Sequence, residues 1–146
     1  MQLMFTKLSA NAKEPTKGTE EAACFDLYAS EVCKIAPYGM ARVKTDILFL
    51  LPEGYEGQIR GRSGISCSGI LVQLGTVDSD YRGSCDVIVF NSTPEEYTVK
   101  RGMRIAQIAI RPVPDVVLQE VTEPEVHDIQ RFITARGSKG FGSTGV

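Results

Sequence analysis

From Ala41 to Leu51 the chain alternates between apolar and charged positions. Ala41, Val43, Thr45, Ile47, Phe49 and Leu51 share one parity, while Arg42, Lys44 and Asp46 begin the other. An extended backbone sends alternate side chains to opposite faces, so residues 41–51 are expected as a strand with one face in the core. Leu48 and Leu50 interrupt the polar face and extend burial to both sides at its far end. Similar runs predict strands at residues 25–30, 32–36, 57–62, 70–74, 85–91, 96–100, 104–112 and 116–121. Turn formers separate them: Pro37-Tyr38-Gly39, Pro52-Glu53-Gly54, Asn91-Ser92-Thr93-Pro94 and Arg101-Gly102. Short strands at this spacing indicate an all-β sandwich or barrel. No stretch carries a long helical period, and at most one turn or short helix is expected after Ser63 or Pro124.

Two of these strands, Val87-Ile88-Val89-Phe90 and Ile105-Ala106-Gln107-Ile108-Ala109-Ile110, are apolar on both parities, whereas antiparallel sheets ordinarily keep one face wet. Either the sandwich closes tightly over such strands or a second copy of the chain covers one face, and of the two a homo-oligomer is expected. The 146 residues suit one domain, and 42% hydrophobic with 23% charged residues describes a globule rather than a disordered chain. A formal net charge of −2 argues against stable nucleic-acid binding, which needs a concentrated cationic excess, yet leaves room for a small phosphorylated ligand. The longest apolar run, Ile47 to Leu51, is far short of the roughly 18 residues of a membrane span. Met1 to Phe5 is too short for a signal segment, so a cytoplasmic or nuclear protein is expected. Cys24, Cys33, Cys67 and Cys85 are too scattered for a zinc or redox motif. His127, the one histidine, sits among Glu123, Pro124, Glu125 and Asp128 in what reads as an acidic surface connection, with no nucleophile nearby to serve. From Arg136 to Val146 a glycine-rich run with one aromatic cannot bury enough surface to order itself. The chain is therefore expected to form a β domain at residues 1–130 and a mobile arm at residues 131–146 that a ligand fixes.

Four clusters could carry chemistry. The arm formally holds Gly140-x-Gly142-x-x-Gly145, but a dinucleotide fingerprint works by opening a helix onto a pyrophosphate, and here only Val146 follows. A Walker loop is excluded too, because Ser143 follows Gly142 where Lys is needed. What the arm offers is backbone N–H groups freed by glycine, the hydroxyls of Ser143 and Thr144, the cations Arg136 and Lys139, and the flat face of Phe141. The second cluster, Gly61-Arg62-Ser63-Gly64-Ile65-Ser66, sets a forked cation beside a hydroxyl and glycines, a combination suited to phosphate oxygens. The third, from Gly75 through Val77, Asp78, Asp80 and Tyr81 to Gly83, is dense in charge for a simple turn. If Val77 points inward, Asp78 and Asp80 share the other parity, and a carboxylate there could take a proton from water. The fourth, Gly102 to Gln107, sets Arg104 and an amide on an otherwise apolar strand, where the amide needs polar partners.

With Ala22-Ala23-Cys24-Phe25-Asp26-Leu27-Tyr28-Ala29, these clusters resemble, in order and spacing, the five motifs of the trimeric dUTPase family over residues 7–146. The resemblance implies a jelly-roll-like β domain assembled as a homotrimer, with active sites built from all three subunits. It implies Mg2+-dependent hydrolysis of dUTP to dUMP and pyrophosphate, which limits uracil incorporation into DNA and supplies dUMP for dTMP synthesis. By that likeness Asp78 would activate a water attacking the α-phosphorus, and Tyr81 would lie under the deoxyribose and exclude a 2′-hydroxyl. The hairpin from Val72 to Asp78, including Gly75 and Val77, would read uracil through main-chain groups. Arg62, Ser63, Gly64 and Gln107 would hold phosphates, and Asp26 would sit near the metal's water shell. Arg136, Phe141, Gly142, Ser143 and Thr144 would close over the nucleotide. The Mg2+ would be held by phosphates and waters rather than directly by protein.

The sequence departs from that pattern in places. Gly61 stands where the family usually has Pro, which should loosen the phosphate loop. Cys24 replaces a usual Gly, so positive φ is not expected there. Met103 replaces an acid before Arg104, removing a partner for a neighbouring cation, and Ser138-Lys139 departs from the commoner acidic or glycine-rich arm. Rival readings are a dCTP deaminase-like enzyme on the same fold, a nucleotide-sensing protein without turnover, and, remotely, a structural jelly roll.

Overall fold

The computed structural model describes residues 2–122 and 133–135, and the chain divides into two units, Met1–Pro114 and Asp115–Val146. In the first unit the described residues form eleven strands and one helical turn. The strands are β1 (Met4–Lys7), β2 (Phe25–Tyr28), β3 (Cys33–Ile35), β4 (Met40–Val43), β5 (Ile47–Leu50), β6 (Tyr55–Arg60), β7 (Ile70–Val72), β8 (Gly75–Val77), β9 (Val87–Asn91), β10 (Tyr97–Val99) and β11 (Arg104–Pro112). The turn is α1 (Ser63–Ser66). The pairings are antiparallel and give four small sheets: β2-β11-β6-β8, β4-β9-β7, β1-β5 and β10-β3. The all-β expectation and the helical turn after Ser63 both hold; Pro124 lies outside the described residues.

The expected strand at residues 41–51 is two strands. Asp46 takes φ 52°, a left-handed conformation that Asp tolerates better than most residues, and so breaks the run between β4 and β5. The parity nevertheless survives the break, with Val43, Thr45, Ile47, Phe49 and Leu51 all buried. Thr45 reconciles its hydroxyl with burial by donating to Cys85 O at 2.9 Å and accepting from Ile47 N–H at 3.2 Å. Ser9 Oγ donates to Asp46 Oδ2 at 2.6 Å, fastening the chain after β1 to this kink. Strand β1 was not anticipated; its four residues are too few for a period, and it forms because Phe5 pairs with Phe49 across the ladder, ring centroids 6.5 Å apart. The three-residue β8 likewise hid within a charged turn motif.

Leu27, Ile35, Val43, Ile47, Ile70, Val87, Val89, Val99, Ile105 and Ile108 are the centre of the core. Strand β11 lies inside its sheet between β2 and β6, a register shift separates Arg104 from Ala106, and Ile105, Ala106, Ile108 and Ala109 are buried on both of its parities. Strand β9 differs: Val87 and Val89 point inward, whereas Ile88 (48% exposed) shares an apolar outer face with Met40 (73%) and Leu71 (45%). Asn91 ends β9 fully buried, its amide donating to the carbonyls of Ile35, Ala36 and Glu95. All four cysteines are free thiols.

In the second unit, residues 115–122 and 133–135 contain no strand, which corrects the expectation of one at residues 116–121. A strand needs a hydrogen-bonded neighbour as well as apolar residues, and none is paired with this segment among the described residues. Of the expected arm only residues 133–135 are described; Arg136, Lys139, Phe141, Gly142, Ser143 and Thr144 lie outside, as does His127.

Candidate active site

Gln107 lies in β11 with Asp26 of β2 opposite it on one side and Arg60 of β6 on the other, so Asp26 and Gln107 share one face of the sheet. Asp26 is only 7% exposed, and a carboxylate so placed must be paired. Arg62 Nε donates to Oδ1 at 2.8 Å, and Arg104 Nη1 donates to Oδ2 at 3.3 Å. The β11 bulge adjoins Arg104, whose partner is thus Asp26 rather than an acid at position 103; Met103 instead meets Tyr97 Oη through its sulfur. Gln107 Nε2 donates to Gly61 O at 2.7 Å, tying β11 to the loop that leaves β6. That bond, and Ser66 Oγ standing 3.3 Å from where a Cβ would lie, restrain Gly61 and oppose the loosening expected from the missing proline.

Arg62 precedes α1 with extended backbone, and its carbonyl accepts from Ile65 and Ser66 N–H. Ser63 and Gly64 therefore open a helical turn, where the first backbone N–H groups have no intrahelical acceptor. Asp26, Arg62, Ser63, Gly64, Arg104 and Gln107, with Gly18, Ala22 and Cys24, wall an open cavity of about 270 Å³. Six residues singled out from separate clusters thus meet in one place. Cys24 lies outside the left-handed region, as expected. Gly18 was missed, because the irregular segment that carries it has no periodicity to read.

A second cavity, about 220 Å³, is more apolar. Its walls include Ile59, Leu74, Gly75, Val77, Tyr81 and Ile88, with Ser84, Cys85 and Asp86. Val77 is buried, as the parity argument required, and β8 ends there. Asp78 follows with its carboxylate exposed, and Tyr81 N–H donates to Asp78 O at 3.2 Å, closing a turn. Arg82 Nη1 clamps that turn by donating to the carbonyls of Ser79 and Tyr81 at 2.8 and 2.9 Å. Burial pushes the Cys85 thiol from the ordinary 9.0 up to about 11, with the Asp86 charge adding to the rise and a backbone hydrogen bond at Phe49 opposing it. Gly75, Val77 and Tyr81 are thereby gathered at this second cavity, which has no wall residue in common with the first; Asp78, next in the chain after Val77, is not among its walls. Ser84 and Asp86 were not anticipated, since Ser84 falls between the charged turn and the strand expected at residues 85–91, and Asp86 reads as part of that strand.

The dUTPase family model matches residues 10–145. The chain belongs to the dUTPase family. It is 42% identical to the human mitochondrial deoxyuridine 5′-triphosphate nucleotidohydrolase over 99% of this chain, although it spans only 55% of that protein's length. It is 39% identical to the mouse deoxyuridine 5′-triphosphate nucleotidohydrolase, covering 98% of this chain and 85% of the relative. Among solved structures, a Staphylococcus bacteriophage 80alpha dUTPase mutant with dUpNHpp superposes with TM-score 0.88 at 26% identity over 99% of each chain. A mutant dUTPase from phage phi11 of S. aureus, described for its structural Mg(II) ion, gives 0.80 at 26% identity over 86% of this chain and 99% of that one. The all-β architecture is accordingly the family's jelly-roll fold. Among the described residues no three His, Cys, Asp or Glu are grouped to hold a metal, and no helix is long and apolar enough to cross a membrane.

Proposed function

We propose that the chain hydrolyses dUTP to dUMP and pyrophosphate, with Asp78 as general base and Mg2+ carried on the triphosphate. The observation that carries this reading is the Asp78–Tyr81 turn, which sets a phenol ring in the wall of an apolar slot with Gly75 and Val77 and an exposed carboxylate next in the chain to Val77. A uracil in that slot presents alternating acceptors and a donor that peptide groups can match. Tyr81 then lies beside the pentose, and the phosphates lie against Arg62, Ser63, Gly64 and Gln107. A water oxygen bonds to the α-phosphorus as the bond to the bridging oxygen of pyrophosphate breaks, and the water's proton passes to Asp78. Such a reaction needs positioning and charge neutralisation more than a covalent nucleophile.

The residues suit a metal held mainly by substrate. A carboxylate offers about four lone-pair sites; two on Asp26 are taken by Arg62 and Arg104. The remainder can accept from a metal-bound water, and Mg2+ typically keeps several waters alongside phosphate oxygens. When bound, Mg2+ would supply charge neutralisation on the phosphates.

Two features support a homotrimer in which one nucleotide spans copies. The base-sized and phosphate-type cavities share no wall residue, and Met40, Leu71 and Ile88 leave an apolar face exposed. In this reading residues 131–146 are the arm that closes over the nucleotide, with Arg136, Phe141, Gly142, Ser143 and Thr144 on base and phosphates, beyond a β domain at residues 1–130. A net charge of −2 supports a small-molecule substrate over nucleic acid, and free thiols support a cytoplasmic or nuclear setting. The test is pyrophosphate release from dUTP, dTTP, dCTP and UTP with Mg2+ supplied, with marked preference for dUTP expected. Intact dUTP would overturn the reading; ammonia released from dCTP would point to a deaminase, and tight dUTP binding without turnover to a sensor.

A further inference from the structure

The Tyr81 ring is held from two directions by residues that carry no chemistry of their own. Gly83 is not in the left-handed region, so its backbone does not demand glycine. Space does. A Cβ at Gly83 would stand 2.5 Å from Tyr81 Cζ and 3.0 Å from Cε2, and nearer still to the hydroxyl. Carbon atoms pack at about 3.5–4.0 Å, so the ring occupies the room a side chain would need. At its tip, Tyr81 Oη donates to Ser84 O at 3.2 Å. Ser84 is fixed in turn: its Oγ donates to Asp86 Oδ1 at 2.6 Å, and the same oxygen accepts from Thr45 N–H at 3.3 Å. Arg42 Nε stands 3.5 Å from Asp86 Oδ2, and Thr45 is wholly buried. A ring 45% exposed is thus anchored through Ser84 and Asp86 to the core.

We propose that Gly83 and Ser84 are positioning residues that hold the Tyr81 ring as a rigid wall against the pentose, and so set discrimination between deoxyribo- and ribonucleotides. The inference rests on the reading of Tyr81 as the sugar-facing residue. Its physical basis is that a mobile ring swings away to admit one extra hydroxyl, whereas a ring braced below and pinned at its tip cannot. An added methyl at Gly83 lifts the ring from the backbone and draws Oη off the Ser84 carbonyl. Displacements of this size in a positioned group cost on the order of 10²-fold in rate.

The experiment compares wild type with Gly83→Ala, Tyr81→Ala and the double variant. It measures kcat/KM for dUTP and UTP, and dUMP and UMP affinity by calorimetry. For Gly83→Ala, the dUTP-over-UTP and dUMP-over-UMP preferences are expected to fall at least tenfold. In the Tyr81→Ala background, where no ring opposes the methyl, the same substitution is expected to change either preference by less than about twofold. Should Gly83→Ala fail to fold, Tyr81→Phe, which keeps the ring and frees its tip, is expected to lower both preferences about 2–10-fold. Unchanged preferences in the variants, or an equal effect of Gly83→Ala with and without the ring, would overturn the proposal. If wild type binds dUMP over UMP but leaves dUTP intact, catalysis fails while the binding arm still decides this inference. A wild type with no deoxy preference in binding sinks it outright.

Discussion

Asp26 accepts from two guanidinium groups of different standing. The Arg62 side chain is 25% exposed and its contact is 2.8 Å, whereas Arg104 is 51% exposed at 3.3 Å. The exposed pair contributes little to stability and leaves Arg104 freer to turn toward an anion. Asp78, the proposed proton acceptor, is exposed. Asp78→Asn keeps size and polarity but removes the proposed base, so kcat is expected to fall by roughly 10²-fold or more with folding and nucleotide affinity retained. Pyrophosphate release and calorimetry check this, and near-normal turnover would remove Asp78 from the chemistry. Cys85 gives a second prediction. Its thiol is raised from 9.0 to about 11 in the fold, so the native state keeps a proton that the unfolded chain gives up. The associated stability is complete below pH 9 and lost as pH rises toward 11. Denaturation midpoints should fall across that window, and less steeply in Cys85→Ala. Asp26, Arg62 and Gln107 were legible as chemistry-bearing residues because charge and amide groups stand out on apolar strands. The pairing of Asp26 with Arg62 and Arg104 was not, since it joins positions 36 and 78 residues apart.

At the scale of elements, the short strands follow from alternation, and their ends follow from local backbone chemistry. Gly54 and Gly102 take φ of 76° and 78°, at turns where Tyr55 N–H returns to Pro52 O and Met103 N–H to Lys100 O. Gly57 is a different case, lying inside β6 opposite Val77. A Cβ there would meet Ile108 Cδ1 at 2.8 Å and Val77 Cβ at 3.3 Å. The isoleucine tip can yield, but the β-branched valine in its ladder cannot, so Gly57→Ala is expected to destabilise by about 1–3 kcal/mol. Thermal melts with a lowered Tm would bear this out, and an unchanged Tm would show slack between β6, β8 and β11. The break at Asp46 and the bulge at Arg104 escaped the periodic reading for one reason. Each keeps apolar residues on the inner face, so the hydrophobic pattern hardly registers the change in backbone.

For the whole molecule, the two cavities and the exposed face of β4, β7 and β9 belong to one argument. In the homotrimer proposed above, a closed assembly would complete all of them at once. Deleting residues 136–146 is expected to leave a folded protein that sediments at three times the monomer mass while hydrolysing dUTP poorly, because the proposed lid excludes water without contributing to the core. Unfolding, or unimpaired turnover, would refute the lid. Sequence alone determined the all-β class, the parity of core positions and the inventory of reactive groups, because these depend on side-chain type and on a two-residue period. Tertiary structure alone decided that Asp26, Arg62, Arg104 and Gln107 face one cavity while Tyr81 edges another, and that the Tyr81 ring fills the space a side chain at Gly83 would take. Those facts depend on which strands pair and in what register, a long-range choice made by the packing of the core.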